Sequence, residues 1–318
     1  MNYNDTMQAL IGAESDDIYP IYVPSVLRPN HYTYRTIISL LSDKVKSRVY
    51  YVVRESEYRE YKKAQPDVNF VVIPNSKIHP RFGTDSTRKF LFDHAVSMGY
   101  SKIIDVDDDI DYMTMAYNDP DTHTSRRIRK SESVANTEHI LSLSCEAAND
   151  HFKLHKDAML GSFCRIFQGA CKEGYANLKS ISYGMGIPRQ FQLLNIERMK
   201  KAGAERTGLY DMQAEDIGLC TKVIEKGGSL FRLPCFLYTV PTEEANPRTE
   251  VTLHKNEGDE KFLCTESAKL LRNTIIGDCL LVTARFKDGT PRYFTIDWRK
   301  YNKKHGTYKI VEEWDERK

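Results

Sequence analysis

An α/β fold with a central, mostly parallel sheet flanked by helices, followed by a C-terminal extension, is predicted by three observations on this 318-residue chain. Strand-like and helical runs alternate through residues 18–110. Single helices between successive strands leave those strands parallel, with right-handed crossovers. Each strand also ends in a polar loop, so these loops gather beyond the carboxyl edge, where open α/β sheets bind ligands.

The elements follow in order. "IYPIYVP" (18–24) reads as a strand, although Pro20 inside it fits only an edge, a start or a bulge. "YTYRTIISLLSD" (32–43) reads as a helix, "SRVYYVV" (47–53) as a strand, and "SEYREYKKAQ" (56–65) as a helix that Ser56 can cap. "NFVVIP" (69–74) is a strand, "TDSTRKFLFDHAVSMGY" (84–100) a helix closed by Gly99, and "KIIDV" (102–106) a strand. The loops they deliver are "SVLRPN" (25–30), "RESE" (54–57), "NSKIHPRFG" (75–83) and an aspartate cluster at 105–111. "YNDPDTHTSRRIRKSES" (117–133) reads as a long polar loop. A helix follows at 136–159, then strands "SFCRIFQ" (162–168) and "QFQLLNI" (190–196). "IGLCTKVIEKGG" (217–228) is a helix, its apolar residues at helical spacing until Gly227 and Gly228 stop it, and "SLFRLPCFLYTV" (229–240) is a strand. The division expected is an N-terminal segment (1–17), a main domain (18–240) and a C-terminal extension (241–318).

Composition narrows the function classes. The chain is 41% hydrophobic and 28% charged, as in ordinary globular proteins, and its net charge of +2 is far from that of a dedicated nucleic-acid binder. No apolar run reaches the roughly 18 residues of a membrane span, and the N-terminus lacks the order of a signal peptide, so a cytoplasmic protein without a membrane partner is expected. Seven cysteines without a C-x-x-C pair indicate buried thiols rather than zinc or disulfides. Two basic runs, "RRIRK" (126–130) and "WRKYNKKH" (298–305), suit a polyanion, or equally a solvated surface.

The stretch "SKIIDVDDDIDYM" (101–113) carries the chemistry. Asp105, Asp107, Asp108, Asp109 and Asp111 repel one another and resist burial unless something offsets their charge. An EF-hand loop fails, because Ile110 stands at its glycine position and Ala116 at its glutamate. A phosphotransferase D-x-D of the haloacid-dehalogenase kind belongs at the first strand, not the fourth. A solvated acidic turn competes with the last reading, a D-x-D at the end of an apolar strand holding Mn²⁺ or Mg²⁺ that completes its shell with substrate phosphates.

"IIDVDDDI" after three strand–helix units, with "AEDIGLCTKVIEKGG" (214–228) later, resembles GT-A glycosyltransferases. More narrowly, "IYVPSVLRP", "STRKFLFDHAVSMGYSKIIDVDDDI" and "AEDIGL" resemble the TET-associated glycosyltransferases of bacteriophages over residues 18–240. The resemblance implies a GT-A-like (Rossmann-like) fold, a UDP-sugar donor, and transfer to a hydroxymethylated pyrimidine such as 5-hydroxymethylcytosine in phage DNA, in the infected host's cytoplasm. It implies that Asp107 meets the ribose or metal and Asp109 ligates the metal, while Asp105 satisfies backbone donors or acts from behind. Ser25 and Arg28 would meet the nucleotide and Glu55 the nucleobase; a solvated residue is the alternative for Arg28 and Glu55. Arg88 would reach the donor or pair with the aspartates. Asp216 would be the catalytic base with Glu215 beside it, against the alternatives of a helix N-cap and a dipole partner. His254 is a candidate third metal ligand. His151 and His155 lack the acidic residue of a zinc motif and read as exposed. "YGMGIP" (183–188) is no phosphate-binding signature; it lines the acceptor pocket or is a turn. The rivals are a GT-A enzyme with a non-DNA acceptor, a metal-dependent phosphohydrolase or nucleotidyltransferase, and a non-enzymatic DNA-binding module.

Overall fold

A computed structural model describes residues 1–12, 17–77, 84–122, 124–166, 182–183, 190–206, 215–241 and 257–305. The strands are β1 (Ile21–Pro24), β2 (Val49–Arg54), β3 (Asn69–Ile73), β4 (Ile103–Val106), β5 (Tyr112–Asp119), β6 (Thr124–Arg127), β7 (Ala158–Arg165), β8 (Ser182–Tyr183), β9 (Phe191–Leu194), β10 (Ser229–Thr239), β11 (Leu280–Arg285) and β12 (Pro291–Ile296). The helices are α1 (Tyr3–Ile11), α2 (Tyr32–Thr36), α3 (Asp43–Lys46), α4 (Tyr58–Ala64), α5 (Thr84–Ser97), α6 (Lys130–Ala135), α7 (Thr137–Leu154), α8 (Ile196–Ala202), α9 (Glu215–Glu225), α10 (Glu257–Arg272) and α11 (Trp298–His305).

The main sheet runs β3-β2-β1-β4-β9-β7-β10-β5-β6, with β8 also paired to β10. The first four strands are mutually parallel, as the alternation required. β9 runs against β4 and β7, and β5 against β10 and β6, while β7 and β10 are parallel. Along the path, every strand but β9 and β5 therefore points one way. Alternate side chains of a strand serve opposite faces. Ile21, Val23, Ile104 and Val106 enter one core with residues of α1, α4 and α7. Tyr22 and Ile103 enter the other, against α5, α8, α9 and α10. Burial on both faces is why these strands read as near-continuous apolar runs.

Several expectations are corrected. The run 32–43 is not one helix but α2, a 3-10 turn at Ile38–Leu40 and α3. Ser56 does not cap α4, whose N-cap is Glu57 without a side-chain bond. The predicted loop 117–133 is largely the β5–β6 hairpin and the start of α6, with Ile128 buried. His151 is buried, stacked on His155 at 4.5 Å and against Phe231 at 4.1 Å. The N-terminal segment holds an unforeseen helix, α1, capped reciprocally by Asn2 and Asp5 and tied down by a 2.6 Å hydrogen bond from the Tyr3 hydroxyl to Glu132. The segment after 241 includes α10, the β11–β12 hairpin and α11, and its Cys264, Leu271, Phe294 and Tyr301 join the same core as α9. Proline 20 lies just before β1, and Gly99, at φ 73°, closes α5 in the left-handed region. Among the described residues the cysteines are buried free thiols, and no helix is long and apolar enough to cross a membrane.

Candidate active site

The aspartates extend from the carboxyl end of β4. Asp105 is the third residue of that strand and fully buried; Asp107, two positions on, projects to the same side, toward α5. From α5, Arg88 reaches both, with Nη1 2.6 Å from Asp105 Oδ2 and Nη2 paired to Asp107 Oδ1. Arg206, just beyond α8, adds a second guanidinium 3.4 Å from Asp105 Oδ2. Asp105 is thus held by two arginines rather than by backbone donors. Burial pulls the Arg88 pKa down, but Asp105 and Asp107 outweigh it and hold the guanidinium charged.

Asp108 turns the other way. Its carboxylate accepts from Ser25 Oγ at 2.6 Å and from Arg28 Nη1 at 3.1 Å, which binds the loop after β1 to the cluster. Tyr61 of α4 secures that loop, its hydroxyl 2.6 Å from Ser25 Oγ and accepting from the Arg28 N–H at 2.9 Å. Burial raises the Asp108 pKa despite Arg28 and Ser25. Thr33 of α2 fastens the turn from behind, donating to the Asp107 carbonyl at 2.7 Å and accepting from the Ile110 N–H at 2.9 Å.

Asp109 has weaker compensation. Burial first, then Asp107 and Asp108, push its carboxyl up to about 7, against which Arg28 and Arg165 act only in part. Its Oδ1 accepts from Gln190 Nε2 at 3.2 Å. Asp111 lies off the cluster, paired with Lys130 at 2.7 Å. A carboxylate forced toward neutrality beside Asp107 is an environment a cation would relieve, so the donor set fits a hard divalent ion. Among the described residues no group of three or more His, Cys, Asp or Glu side chains is arranged to hold a metal. Asp107 and Asp109 are the two carboxylates that could supply oxygen ligands, and an ion there would need phosphate and water for the rest of its shell.

Glu215 and Asp216 open α9, inside its first turn, so Asp216 is not the N-cap. Asp216 Oδ1 accepts from Gln192 Nε2 at 2.9 Å, and Gln192 Oε1 accepts from Arg206 Nη2 at 2.9 Å. Burial and then Asp216 push the Glu215 carboxyl well above the usual range, with Arg88 opposing.

Ser25, Arg28, Arg88, Asp105, Asp107, Asp108 and Asp109 thus form one connected cluster, and Arg206 with Gln192 links it to Asp216. Glu55 is not part of it: exposed at the end of β2, it accepts only from the Asn75 N–H at 3.3 Å among the described bonds. His254 and nearly all of "YGMGIP" lie outside the described residues. Gln190, Gln192, Arg206, Tyr61 and Thr33 escaped the reading of the sequence. Gln192 had a signal, since a polar residue inside an otherwise apolar strand has to find a buried polar partner. Two described non-glycine residues have positive φ, Leu27 at 52° and Gln190 at 51°, and both border the cluster. Such backbone costs about 1–3 kcal/mol and persists where neighbours hold it. Leu27 is held by its N–H bond of 2.6 Å to Glu57.

A family model described as TET-Associated Glycosyltransferase matches residues 19–244. No curated protein sequence matches the chain. Solved structures resemble it at low identity. TarS 1-349 of S. aureus is 12% identical with a TM-score of 0.41, over 80% of this chain and 65% of that one. Mannosyltransferase PcManGT of Pyrobaculum calidifontis, in complex with GDP-Man and Mn²⁺, is 12% identical with a TM-score of 0.42, over 85% and 71%. Glucosyl-3-phosphoglycerate synthase of Mycobacterium tuberculosis, in complex with Mn²⁺, UDP and phosphoglyceric acid, is 9% identical with a TM-score of 0.43, over 84% and 81%. The chain spans just under two thirds of the TarS structure.

Proposed function

The chain belongs to the TET-associated glycosyltransferase family, and from that membership together with the aspartate cluster we propose that it transfers a sugar from a UDP-sugar to a hydroxymethylated pyrimidine base in DNA. The observation that carries the reading is the run of carboxylates at the carboxyl end of β4, Asp105 and Asp107 held by Arg88 and Asp108 by Ser25 and Arg28, at the edge of a parallel block where such sheets receive ligands. Asp107 and Asp109 would hold Mn²⁺ or Mg²⁺. The ion, when bound, would neutralise the diphosphate as it leaves. Arg88 would hold Asp105 and Asp107 in place through its paired guanidinium. Ser25 and Arg28, braced on Asp108, would face the nucleotide, with Glu55 at the rim toward the base.

Asp216 would take the proton from the acceptor hydroxyl as that oxygen attacks the anomeric carbon and the UDP oxygen departs. Glu215, its carboxyl raised by burial and by Asp216, would stand beside it. The hydroxymethyl group of such a base points into the major groove, so a duplex acceptor exposes it without flipping. Residues 18–240 would form the catalytic domain behind the N-terminal segment (1–17), with residues 241–318 completing the donor and acceptor site and His254 a candidate ligand there. The decisive experiment incubates the protein with Mn²⁺, a panel of nucleotide sugars and hydroxymethylcytosine-containing DNA, and then weighs the digested nucleosides. A sugar-sized mass gain that requires donor and metal supports the proposal. Free phosphate or pyrophosphate without transfer would overturn it.

A further inference from the structure

Gln190 and Gln192 flank Phe191 at the start of β9, and each presents its amino group to a carboxylate. Gln190 Nε2 donates to Asp109 Oδ1, and Gln192 Nε2 donates to Asp216 Oδ1. A free carboxamide turns end for end at little cost, so this orientation has to be imposed. At Gln192 it is. Arg206, a group with donors only, gives Nη2 to Gln192 Oε1 at 2.9 Å, which compels the amino end to face Asp216. Gln192 is fully buried, Arg206 is 4% exposed, and the strand register puts Gln192 opposite Asp105, which Arg206 also pairs with.

We propose that Gln192, locked by Arg206, is a positioning residue that aims the Asp216 carboxylate at the acceptor hydroxyl. The inference rests on the reading of Asp216 as the base. Chemically the neutral amide is suited to this. A guanidinium placed directly on Asp216 would stabilise its charge and make it a poorer base, whereas an intervening amide fixes direction while passing on less of the cation's field. Among the described residues, the charged and titratable groups that act on Asp216 from neighbouring elements include Glu215 on its own helix, Arg88 from α5 and Tyr238 from β10. None of these supplies the 2.9 Å directional bond that Gln192 makes.

The test uses Gln192→Met, close in volume but without an N–H, and Gln192→Asn as a second variant should the first not fold. The titration midpoint of the Asp216 carboxylate is followed by ¹³C NMR, and steady-state kinetics are measured with UDP-sugar, Mn²⁺ and hydroxymethylcytosine DNA. Loss of a hydrogen bond to the charged form should raise the midpoint by about one pH unit. In parallel, kcat should fall at least roughly tenfold with the donor KM and the melting temperature unchanged. Gln192→Glu, which sets a second carboxylate against Asp216, should move the acid limb of the kcat profile to higher pH. An unchanged midpoint overturns the inference whatever the turnover. So does a kcat loss that merely follows a loss of folded protein. Failure of the wild type to move sugar onto any acceptor, with the midpoint still displaced, removes the base assignment while leaving the hydrogen bond demonstrated, so the two failures are told apart.

Discussion

Asp109 shows what one side chain costs a fold that needs it ionised. Its folded carboxyl titrates at about 7, far above the ordinary Asp value near 4, so the folded chain binds this proton more tightly than the unfolded chain. The stability this extra proton affinity confers is therefore fully present below about pH 4, the unfolded value, and is lost as pH rises from there through about 7. Asp109→Asn should therefore raise metal-free stability at pH 8 by about 1–3 kcal/mol, after discounting for partial solvent screening. On the proposed function Mn²⁺ with UDP should raise the melting temperature of the wild type, and the same substitution should abolish that rise. Thermal melts with and without Mn²⁺ and UDP read both effects, and an Asp109→Asn chain that melts lower yet still responds to the ion would refute the metal assignment. Asp216 behaves differently at this scale, because its removal should leave the ion site intact. Asp216→Asn should lower kcat by roughly 10²–10⁴ with the donor KM held. Nucleotide binding measured by calorimetry should be unchanged, and a parallel loss of UDP affinity would return Asp216 to the donor site.

Elements were legible where periodicity decided them and illegible where tertiary contacts did. The first four strands and α5 came out within a few residues, because short apolar runs and helical spacing are local properties. The helix at 32–43 broke because α2 ends at Thr36, whose hydroxyl bonds back to the Ile110 carbonyl, a contact 74 residues away. The polar 117–133 run hid a hairpin because its strands earn their place by pairing at the sheet edge. Two predictions belong here. Gly161 in β7 faces the ring of Phe231 so closely that a Cβ would collide with it. Gly161→Ala should cost about 1–3 kcal/mol, read as a lower melting temperature with the sheet spectrum retained. His31 caps α2 through Nδ1, accepting from the Tyr34 N–H at 3.2 Å, and burial drives its pKa down to about 3. A buried neutral histidine contributes stability fully above the unfolded pKa near 6.5 and loses it as pH falls toward 3. His31→Asn keeps a capping acceptor without the titrating ring, so its stability should decline less between pH 6.5 and 4 than that of the wild type, by up to about 1.4 kcal/mol per pH unit. Equal slopes for the two chains would assign the acid sensitivity elsewhere.

At the scale of the whole molecule, the site is assembled from segments far apart in sequence, and this set the limit of what could be read. Asp107, Asp109 and Asp216 were visible because acidic residues at a strand end or helix start are local patterns. Arg206 meets Asp105 across 101 residues, and no local pattern marks it. The same limit applies to the surface that would meet DNA. Of the two basic runs, 126–130 is partly neutralised within the fold: Arg126 pairs with Asp119 at 2.7 Å and Lys130 with Asp111 at 2.7 Å. On α11 Lys304 pairs with Asp278 at 2.5 Å, while Arg299 and Lys303, four apart and exposed, share one helix face. Each cation that meets a phosphate releases counterions, so binding weakens with salt at a log–log slope of about −0.9 per contact on duplex DNA. Arg299→Ala with Lys303→Ala should therefore make that slope shallower by about 1.8 when DNA affinity is titrated against salt, since neither residue lies in the aspartate cluster and the site itself stays intact. If instead the slope is unaltered and the double variant binds as the wild type does, the DNA lies on another face, and the exposed Arg127 and Arg129 of the other run become the residues to exchange next.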